Sequence, residues 1–343
     1  MDSLDKGKAY FLHSAIVIVS MVATLFVLFL FWPQQNYSGI AKVTVKPGMS
    51  LMQLANEMKD NKLITNKNTF MWAVRIMGEE RSIPIGTFHL NDLSNNYQII
   101  QQLINGSPEL KKITFLEGWT TQQFSDQIAL KLDIDAGKIL KIANGDKFLK
   151  KHTINGASLE GYLFPDTYLF DDNLTPEFIL TTLVNEGKKF WTNSREDRAS
   201  ILGLTRHEII TLASIIEGEA IYDNERPMIS AVYHNRLNRG MRLQADPTIQ
   251  YIIDDGPRRL LNRDLRIKSP YNTYLHDGLP PGPINSPGEK SLLAALYPEK
   301  NDYLFFVAKG DGYHTFSKTE KEHNRAKQKL QKIRIALRRN KGK

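Results

Sequence analysis

The strongest hydrophobic segment of the chain lies near its N-terminus. From Ser14 to Trp32 there are nineteen residues without a charged side chain, and a helix of that length extends for about 28 Å, enough to cross a bilayer. A cleavable signal peptide has a shorter apolar stretch, about 7–15 residues, and a small-residue cleavage site close by. Here Trp32-Pro33 ends the segment instead. The pattern therefore predicts an uncleaved transmembrane helix over residues 14–33.

The basic residues that flank this segment predict its orientation. Lys6 and Lys8 precede it, and the first basic residue after it is Lys42, so the positive-inside bias places residues 1–13 in the cytoplasm. Everything that follows the helix is then expected outside, which for a bacterium means a single-pass protein of the inner membrane with a periplasmic domain. Cleavage after Gly39-Ile40-Ala41 is the alternative that this reasoning leaves open.

Two later segments repeat one pattern, in which a short strand-like run meets a glycine, then a Ser or Thr, then apolar residues at helical spacing. They are Val45–Ala55 and Phe115–Ser125, and a related unit begins at Ile85. A Ser or Thr before a periodic apolar run is typical of a helix N-cap. Each unit is therefore predicted as strand, turn and helix, and the fold class as α+β.

The first unit resembles a LysM module, a small fold associated with glycans that contain N-acetylglucosamine. The resemblance rests on its V-x-x-G-x-S-L-x-x-L-A opening, and an ordinary α+β spacer is the alternative. The predicted domains are listed in order: a cytoplasmic N-terminus 1–13, a transmembrane helix 14–33, a LysM-like module 34–108, a second α+β module or connector 109–157, a catalytic domain 158–317 and a basic tail 318–343.

The composition of the chain excludes several kinds of chemistry and of binding partner. The 343 residues include no cysteine, which excludes disulfides, thiolate metal sites and a cysteine nucleophile. The net charge is +8, but the segment from Lys318 to Lys343 contains eleven Lys and Arg against two Glu. The rest of the chain is thus nearly neutral, so the basicity belongs to a terminal helix-forming tail and does not indicate a nucleic-acid partner.

Common catalytic motifs are missing or incomplete. His207-Glu208 begins like a zinc-protease helix, but Thr211 stands where the second histidine ligand would have to lie. The chain has no G-x-S-x-G elbow, no phosphate-binding G-x-x-x-x-G-K-[ST] loop and no G-x-G-x-x-G fingerprint. The sequence therefore predicts neither a metal nor a cofactor. Catalysis by carboxyl groups is the kind of chemistry that is left to consider.

The carboxylates of interest close an apolar helix. Thr205 is a candidate N-cap, and the helix leads to Glu217 and Glu219, which point to different sides. Glu217 shares a face with Ala213, a small residue that leaves room for a ligand. A carboxyl group among apolar side chains favours its neutral form, as a general acid requires. Spacing alone leaves two alternatives open: Glu217 is solvated or ion-paired, or Glu219 is the acid.

A series of motifs extends beyond this helix, and together they resemble the MltG (YceG-like) endolytic murein transglycosylases over roughly residues 43–330. The matching segments are Glu160–Tyr168, Leu212–Glu219, Val232–Leu237, Gly240–Thr248, Tyr271–Tyr274 and Gly278–Ile284. The single-pass anchor and the LysM-like module are also what that family carries. The resemblance implies that Glu217, the first Glu of the A-S-I-[IV]-E motif, is the catalytic acid.

The implied reaction cleaves the bond between N-acetylmuramic acid and N-acetylglucosamine within nascent glycan strands without using water. One carboxyl group protonates the leaving oxygen and then accepts the proton of the muramic C6 hydroxyl, which closes a 1,6-anhydro ring. The other polar motifs are then sugar-binding or charge-stabilising candidates, although each of them fits a structural polar group equally well. These candidates are Asn235, Gln244, Asp246, Thr248, Tyr251, Asn272, Tyr274, Tyr162 and Asp166.

The expected partners are peptidoglycan glycan strands, the inner membrane and peptidoglycan synthases, with no nucleic acid. Two rival functions remain. A muramidase-type hydrolase needs a second carboxylate near Glu217, and Asp246 or Glu219 could supply it. A non-catalytic wall-binding scaffold needs the anchor and the LysM-like module but not Glu217.

Overall fold

The computed structural model describes residues 2–33, 40–46, 48–91, 95–171 and 174–341, so Pro47 of the first repeated pattern lies outside the described residues. Within them the fold is α+β, as predicted. The helices are α1 (Asp2–Leu30), α2 (Leu51–Asp60), α3 (Lys67–Ile76), α4 (Asn96–Asn105), α5 (Thr121–Leu132), α6 (Ala136–Ala143), α7 (Asp146–Lys151), α8 (Pro176–Lys189), α9 (Asn193–Ile201), α10 (Arg206–Glu219), α11 (Arg226–Asn238), α12 (Asp246–Ile252), α13 (Glu289–Leu296) and α14 (Glu320–Lys341). The strands are β1 (Ala41–Val45), β2 (Gly86–Leu90), β3 (Lys111–Thr114), β4 (Thr167–Phe170), β5 (Phe305–Ala308) and β6 (His314–Ser317).

The first helix contains the apolar segment predicted from the sequence. Among the described residues, Phe11–Leu30 is long and apolar enough to cross a membrane. Its large side chains, such as Phe11 and Val19, are exposed, whereas Leu30 at its end is buried in the core of the first unit. Between Phe11 and Leu30 the helix therefore presents an apolar surface along most of its length, and it packs against the first unit at its C-terminal end.

The chain divides into two compact units. The first comprises Met1–Lys112 and Leu169–Leu174. In it, β1 and β2 pair antiparallel, with Ala41 opposite Leu90 and Val45 opposite Gly86. The side chains of α2, α3 and α4 pack on this pair and form one apolar core. Its central members are Val43, Leu54, Phe70, Phe88 and Ile99.

The predicted N-caps are confirmed. Ser50 begins α2 and Thr120 begins α5, each with a capping box in which the side chain three residues later binds back to the cap. Gly48 and Gly118 lie two residues before these caps, with φ of 75° and 77°. Only glycine adopts this conformation without strain, so each glycine sets the turn that leads from strand to helix.

The second unit comprises Ile113–Tyr168 and Thr175–Lys343, so the predicted module 109–157 is divided between the units. Helix α10 runs through its centre. Every residue from Ile209 to Ile216 is buried, which is typical of a helix enclosed on all sides. Thr205 caps this helix as predicted, with Glu208 completing the capping box. Because α10 is enclosed by protein, the two carboxylates at its end have fixed surroundings.

The basic tail continues as a helix. Helix α14 follows directly on the antiparallel pair β5 and β6, in which Phe305 is opposite Ser317 and Ala308 is opposite His314. Leu330 of α14 is buried, whereas Ile333 and Ile335 are exposed. The first half of the tail helix is therefore part of the folded unit.

Candidate active site

Glu217 lies in the last turn of α10 and is almost enclosed, with its side chain 7% exposed. Both carboxylate oxygens accept hydrogen bonds. Oε1 accepts from Nη1 of Arg226 at 3.0 Å, and Oε2 accepts from the backbone N–H of Gly288 at 3.0 Å. Gly288 is the N-cap residue of α13, where the helix dipole also stabilises negative charge. The site therefore stabilises a carboxylate at this position.

Arg226 is the first residue of α11 and is as buried as its partner, with 7% of its side chain exposed. Its Nη1 also donates to Ser291 Oγ, and its Nε donates to Asp223 Oδ1 at 3.1 Å. Asp223 in turn pairs with Lys290, and these two cationic partners lower the pKa of Asp223. Of the alternatives that spacing left open for Glu217, the structure shows the ion-paired one, because the helix end meets an ion-pair network and not an apolar surrounding.

A second carboxylate approaches from the turn before α5. The backbone of Gly118 donates to the Ser286 carbonyl at 2.8 Å, and Ser286 N–H donates to the Trp119 carbonyl at 2.8 Å. These bonds place Glu117 beside Gly288, where a methyl group added to the glycine would overlap the Glu117 carboxylate. Partial burial raises the pKa of Glu117, and the negative charge of Glu217 raises it further.

Glu117 was not among the residues that sequence reasoning selected. It belongs to a Glu-Gly pair before a predicted cap, a setting that indicates local turn geometry and nothing about chemistry. The contact that matters is with a helix end one hundred positions later in the chain. Only tertiary structure brings these carboxylates together.

Glu219 points to the other side of α10, as predicted. Tyr233 donates its hydroxyl proton to Glu219 Oε1 at 2.9 Å. Burial raises the pKa of Glu219 to about 7, and the nearby Asp246 carboxylate adds to the shift. Tyr274 donates to Asp246, and burial together with this bond raises the pKa of Tyr274.

The surroundings of Glu219 open into a cavity of about 660 Å³. Three of the predicted substrate-binding residues line it, namely Gln244, Asp246 and Tyr274. Gln244 holds a left-handed backbone conformation with φ of 49° and donates its N–H to the Thr273 carbonyl at 3.1 Å. The structure thus gathers these residues around Glu219, whereas Glu217 faces Arg226 and Gly288.

Tyr162 lines a different cavity, of about 420 Å³, together with Trp191, Arg206 and His207. His207 Nε2 lies 2.8 Å from the Pro281 carbonyl and donates to it, so its Nδ1 accepts the Tyr162 hydroxyl at 2.6 Å. Burial raises the pKa of Tyr162 to about 12. His207 therefore fastens the Pro/Gly-rich loop to Tyr162.

The remaining predicted binding residues make contacts within the protein. Asn235 Nδ2 donates to the carbonyls of Asn301 and Tyr303, each at 2.9 Å, and the buried Asn272 donates to those of Leu265 and Ile267. Thr248 Oγ1 donates to the Ala245 carbonyl at 2.7 Å. The ring of Tyr251 contacts that of Tyr271. The backbone carbonyl of Asp166 accepts from Phe115 N–H at 3.0 Å. These bonds position loops and strands.

The fold and the site define an α+β protein with a carboxylate held by an arginine at the end of its central helix and a second carboxylate beside it. The model of the YceG-like family matches residues 43–329. The chain therefore belongs to the YceG-like family, and the family resemblance of its motifs is confirmed.

Several known proteins are similar. An endolytic murein transglycosylase of Bacillus subtilis is 34% identical over 307 residues, which is 84% of each chain. A protein of the same name from Streptococcus pneumoniae is 25% identical over 84% of this chain and 58% of its own length. The solved yceG-like protein of Listeria monocytogenes superposes with a TM-score of 0.58 and 32% identity, over 84% of this chain and 99% of that one.

Proposed function

We propose that this protein is a membrane-anchored lytic transglycosylase that acts on peptidoglycan, with Glu217 as its catalytic carboxylate. Membership of the YceG-like family and the names of the relatives support the reaction class. The single observation that carries the site assignment is the setting of Glu217. It lies nearly enclosed at the end of the central helix, with an arginine and a helix N-terminus directed at its two oxygens.

The proposed reaction breaks the bond between C1 of N-acetylmuramic acid and the glycosidic oxygen of N-acetylglucosamine. The leaving oxygen requires a proton, and the muramic C6 hydroxyl must lose one as its oxygen attacks C1. A single carboxyl group at Glu217 can perform both steps in turn. The attack is intramolecular, and well-oriented intramolecular groups reach effective molarities of about 10⁵ M or more, which favours C6 over water.

Glu217 would also stabilise the positive charge that develops at C1 in the transition state. Its carboxylate is aligned before substrate arrives, because Arg226 and the Gly288 N–H fix its two oxygens. A preorganised anion in a water-poor site is more effective than one in bulk solvent. For substrate contacts, Gln244, Asp246 and Tyr274 are the better-placed candidates around one cavity, and Tyr162 around the other.

We propose that α1 anchors the protein in the inner membrane with residues 1–13 in the cytoplasm. The exposed apolar surface of Phe11–Leu30 supports this. Full-length protein should fractionate with membranes, and protease added from the periplasmic side should remove everything after the helix. A soluble species that begins near Lys42 would instead identify the segment as a cleaved signal.

We propose that the unit around β1 and β2 is LysM-like and contacts glycan strands, with residues 158–317 forming the catalytic domain. The Ser50 cap that follows Gly48, and the strand pair packed on α2 and α3, support this module. The full chain with Glu217→Gln should cosediment with purified glycan strands. If Ser50→Ala together with Leu54→Ala, which disturb the cap and the core of this module, leave cosedimentation unchanged, the glycan contact lies elsewhere.

Cleavage inside nascent strands would limit glycan length next to the synthases that elongate them. We propose this setting because the anchor would hold the catalytic unit near the membrane surface, where new strands emerge. Cells that lack the protein should contain longer glycan strands, and the parent gene but not Glu217→Gln should restore their length. Unchanged strand lengths would exclude a part in chain termination.

Product mass tests the reaction itself. Purified glycan strands digested with the parent protein should yield internal fragments that end in 1,6-anhydro-muramic acid, lighter by one water than hydrolysis products and resistant to borohydride. The Glu117 carboxylate beside Glu217 gives the muramidase-type hydrolase a specific argument, since hydrolases use paired carboxyl groups. Reducible muramic ends as the main product would establish that alternative. No product at all would favour a wall-binding scaffold.

A further inference from the structure

The proposed reaction needs a proton donor at the glycosidic oxygen and a proton acceptor at the C6 hydroxyl. Glu217 resembles the acceptor, because both of its oxygens already accept hydrogen bonds, from Arg226 and from Gly288. A carboxyl group that carries the proton would donate from one of these oxygens. The two fixed oxygens suit Glu217 to receive the C6 proton, and a second carboxyl group beside it is the candidate donor for the leaving oxygen.

Glu117 is the carboxyl group next to it. Within the described part of the chain it has no hydrogen bond and no ion pair, and its residue is exposed. Its carboxylate rests against Gly288, whose N–H binds Glu217. With standard backbone bond lengths, the nearest oxygens of the two carboxylates are at most about 8 Å apart. Carboxyl pairs that flank a glycosidic bond in hydrolases are separated by about 5–9.5 Å.

We propose that Glu117 donates the proton to the leaving glycosidic oxygen while Glu217 accepts the proton of the C6 hydroxyl. This inference rests on the proposed function and divides between two residues the steps that Glu217 alone would otherwise perform. The C1–O bond to N-acetylglucosamine breaks and the C1–O6 bond forms. One proton leaves Glu117 and one arrives at Glu217, and its return to Glu117 through solvent restores the site without consuming water.

The charges around Glu117 agree with a neutral acid. Glu217 faces it from the end of α10, Asp223 from the turn before α11, Arg226 from the start of α11, and Lys290 from α13. Burial is the largest influence and raises the pKa of Glu117, the carboxylates of Glu217 and Asp223 raise it further, and the two cations oppose them. In pairs of neighbouring carboxyl groups, the acid is the group whose surroundings raise its pKa and the base is the group that stays ionised.

Glu117→Gln tests the donor, with Glu177→Gln on the exposed surface of α8 as the matched control. On glycan strands the variant should lose about 10²–10⁴-fold in kcat, the usual contribution of a general acid. A MurNAc-terminated oligomer with a para-nitrophenyl leaving group needs no proton at that oxygen, so on it Glu117→Gln should approach the parent rate. Equal losses on both substrates would indicate a structural contribution and overturn the proposal, as would an unimpaired rate on glycan strands.

The pH profile provides a readout that packing alone would not change. In the parent, kcat/KM should fall on the alkaline side as Glu117 loses its proton, and this limb should be absent from Glu117→Gln. An alkaline limb that stays unchanged in the variant would assign the donor proton to another group. Glu217→Gln should be inactive on both substrates, so an active Glu217→Gln would refute the proposed function itself, separately from the part of Glu117.

Gly288→Ala tests the same geometry without changing a charge. Gly288 has φ of −74° and ψ of 168°, a conformation open to alanine, yet the new methyl group would displace the Glu117 carboxylate. The variant should lose kcat by a larger factor on glycan strands than on the nitrophenyl substrate, because a displaced Glu117 matters only where the leaving oxygen needs a proton. The double variant Glu117→Gln/Gly288→Ala should be no slower than the slower single variant, because both changes remove one interaction. Additive losses would contradict the proposal.

Discussion

Glu217 and Glu219 stand two residues apart on one helix, and their surroundings differ in every respect. Glu217 meets a buried arginine and a helix N-terminus. Glu219 is buried beside the Asp246 carboxylate, and these two influences raise its pKa to about 7 although the Tyr233 hydroxyl opposes them. The first environment stabilises an anion and the second a neutral acid. The comparison shows that the chemistry of a carboxyl group follows from its tertiary partners and not from its place in a motif.

The difference also separates two ways of recognising a catalytic group. A carboxyl group with a pKa near 7 beside a cavity is by itself a candidate acid, which would select Glu219. The proposed function assigns the role to Glu217 instead, on its ion-pair network at the end of the central helix. Substitutions that act on one neighbourhood at a time distinguish these choices.

The largest effect is expected from exchanging each acid for its amide. Glu217→Gln keeps the shape of the side chain but cannot accept a proton, so turnover on glycan strands should fall by several orders of magnitude. Glu219→Gln can still accept the Tyr233 hydroxyl and should have a much milder effect. Steady-state rates of both variants, with thermal unfolding as the control for folding, give the comparison. The reverse order would move the catalytic assignment to Glu219.

The next effect concerns stability. Arg226→Met leaves Glu217 buried without its cation, and breaking a buried ion pair costs about 3–5 kcal/mol. Tyr233→Phe removes only one hydroxyl donor from Glu219 and should cost about 1 kcal/mol. Urea unfolding of both variants measures the difference. Arg226→Met/Glu217→Gln should regain part of the loss, and a double variant as unstable as the sum of its parts would show that the pair does not interact.

A smaller effect depends on pH. The pKa of Glu219 is raised from 4.5 to about 7 in the folded protein, so folding retains a proton that the unfolded chain releases. The contribution of Glu219 to stability should therefore be greatest below pH 4.5, decline as pH rises towards 7, and level off above it. Glu219→Gln does not titrate, and its stability relative to the parent should improve by about 3 kcal/mol over that range. A pH-independent difference would mean that Glu219 ionises normally.

Local features of this molecule could be predicted from sequence, because they depend on neighbouring residues. The caps at Ser50, Thr120 and Thr205, the long apolar helix and the opposite directions of Glu217 and Glu219 all follow from periodicity and capping. The partners of Glu217 could not be predicted in this way, because Arg226 and Glu117 come close to α10 only when the chain folds.

The predicted binding residues show the same division. Asn235 and Asn272 belong to motifs, but backbone carbonyls occupy their amide groups, a use that spacing cannot distinguish from sugar binding. Asp246 and Tyr274 reach the cavity beside Glu219 because α12 starts at Asp246 and the loop that contains Tyr274 folds back on it. Residue types in the sequence thus identified candidates for substrate binding. The folded chain determines which of them are used in structural hydrogen bonds and which line a cavity.

The smallest effect is expected from truncation after Leu330, which acts on one neighbourhood only. Gln331 and Ile335 line the cavity beside Glu219, while the residues that hold Glu217 belong to α11 and α13. The basic charges that are lost act over about 8 Å at physiological salt. Activity on soluble glycan fragments should therefore remain nearly unchanged.

The same truncation should change the surroundings of Glu219. Water that enters the opened cavity should bring the pKa of Glu219 back towards its ordinary value and flatten the pH dependence of stability. A collapse of activity with the fold intact would show that the Glu219 side of the helix takes part in the reaction, and the contrast between the two carboxylates would then no longer separate catalysis from structure.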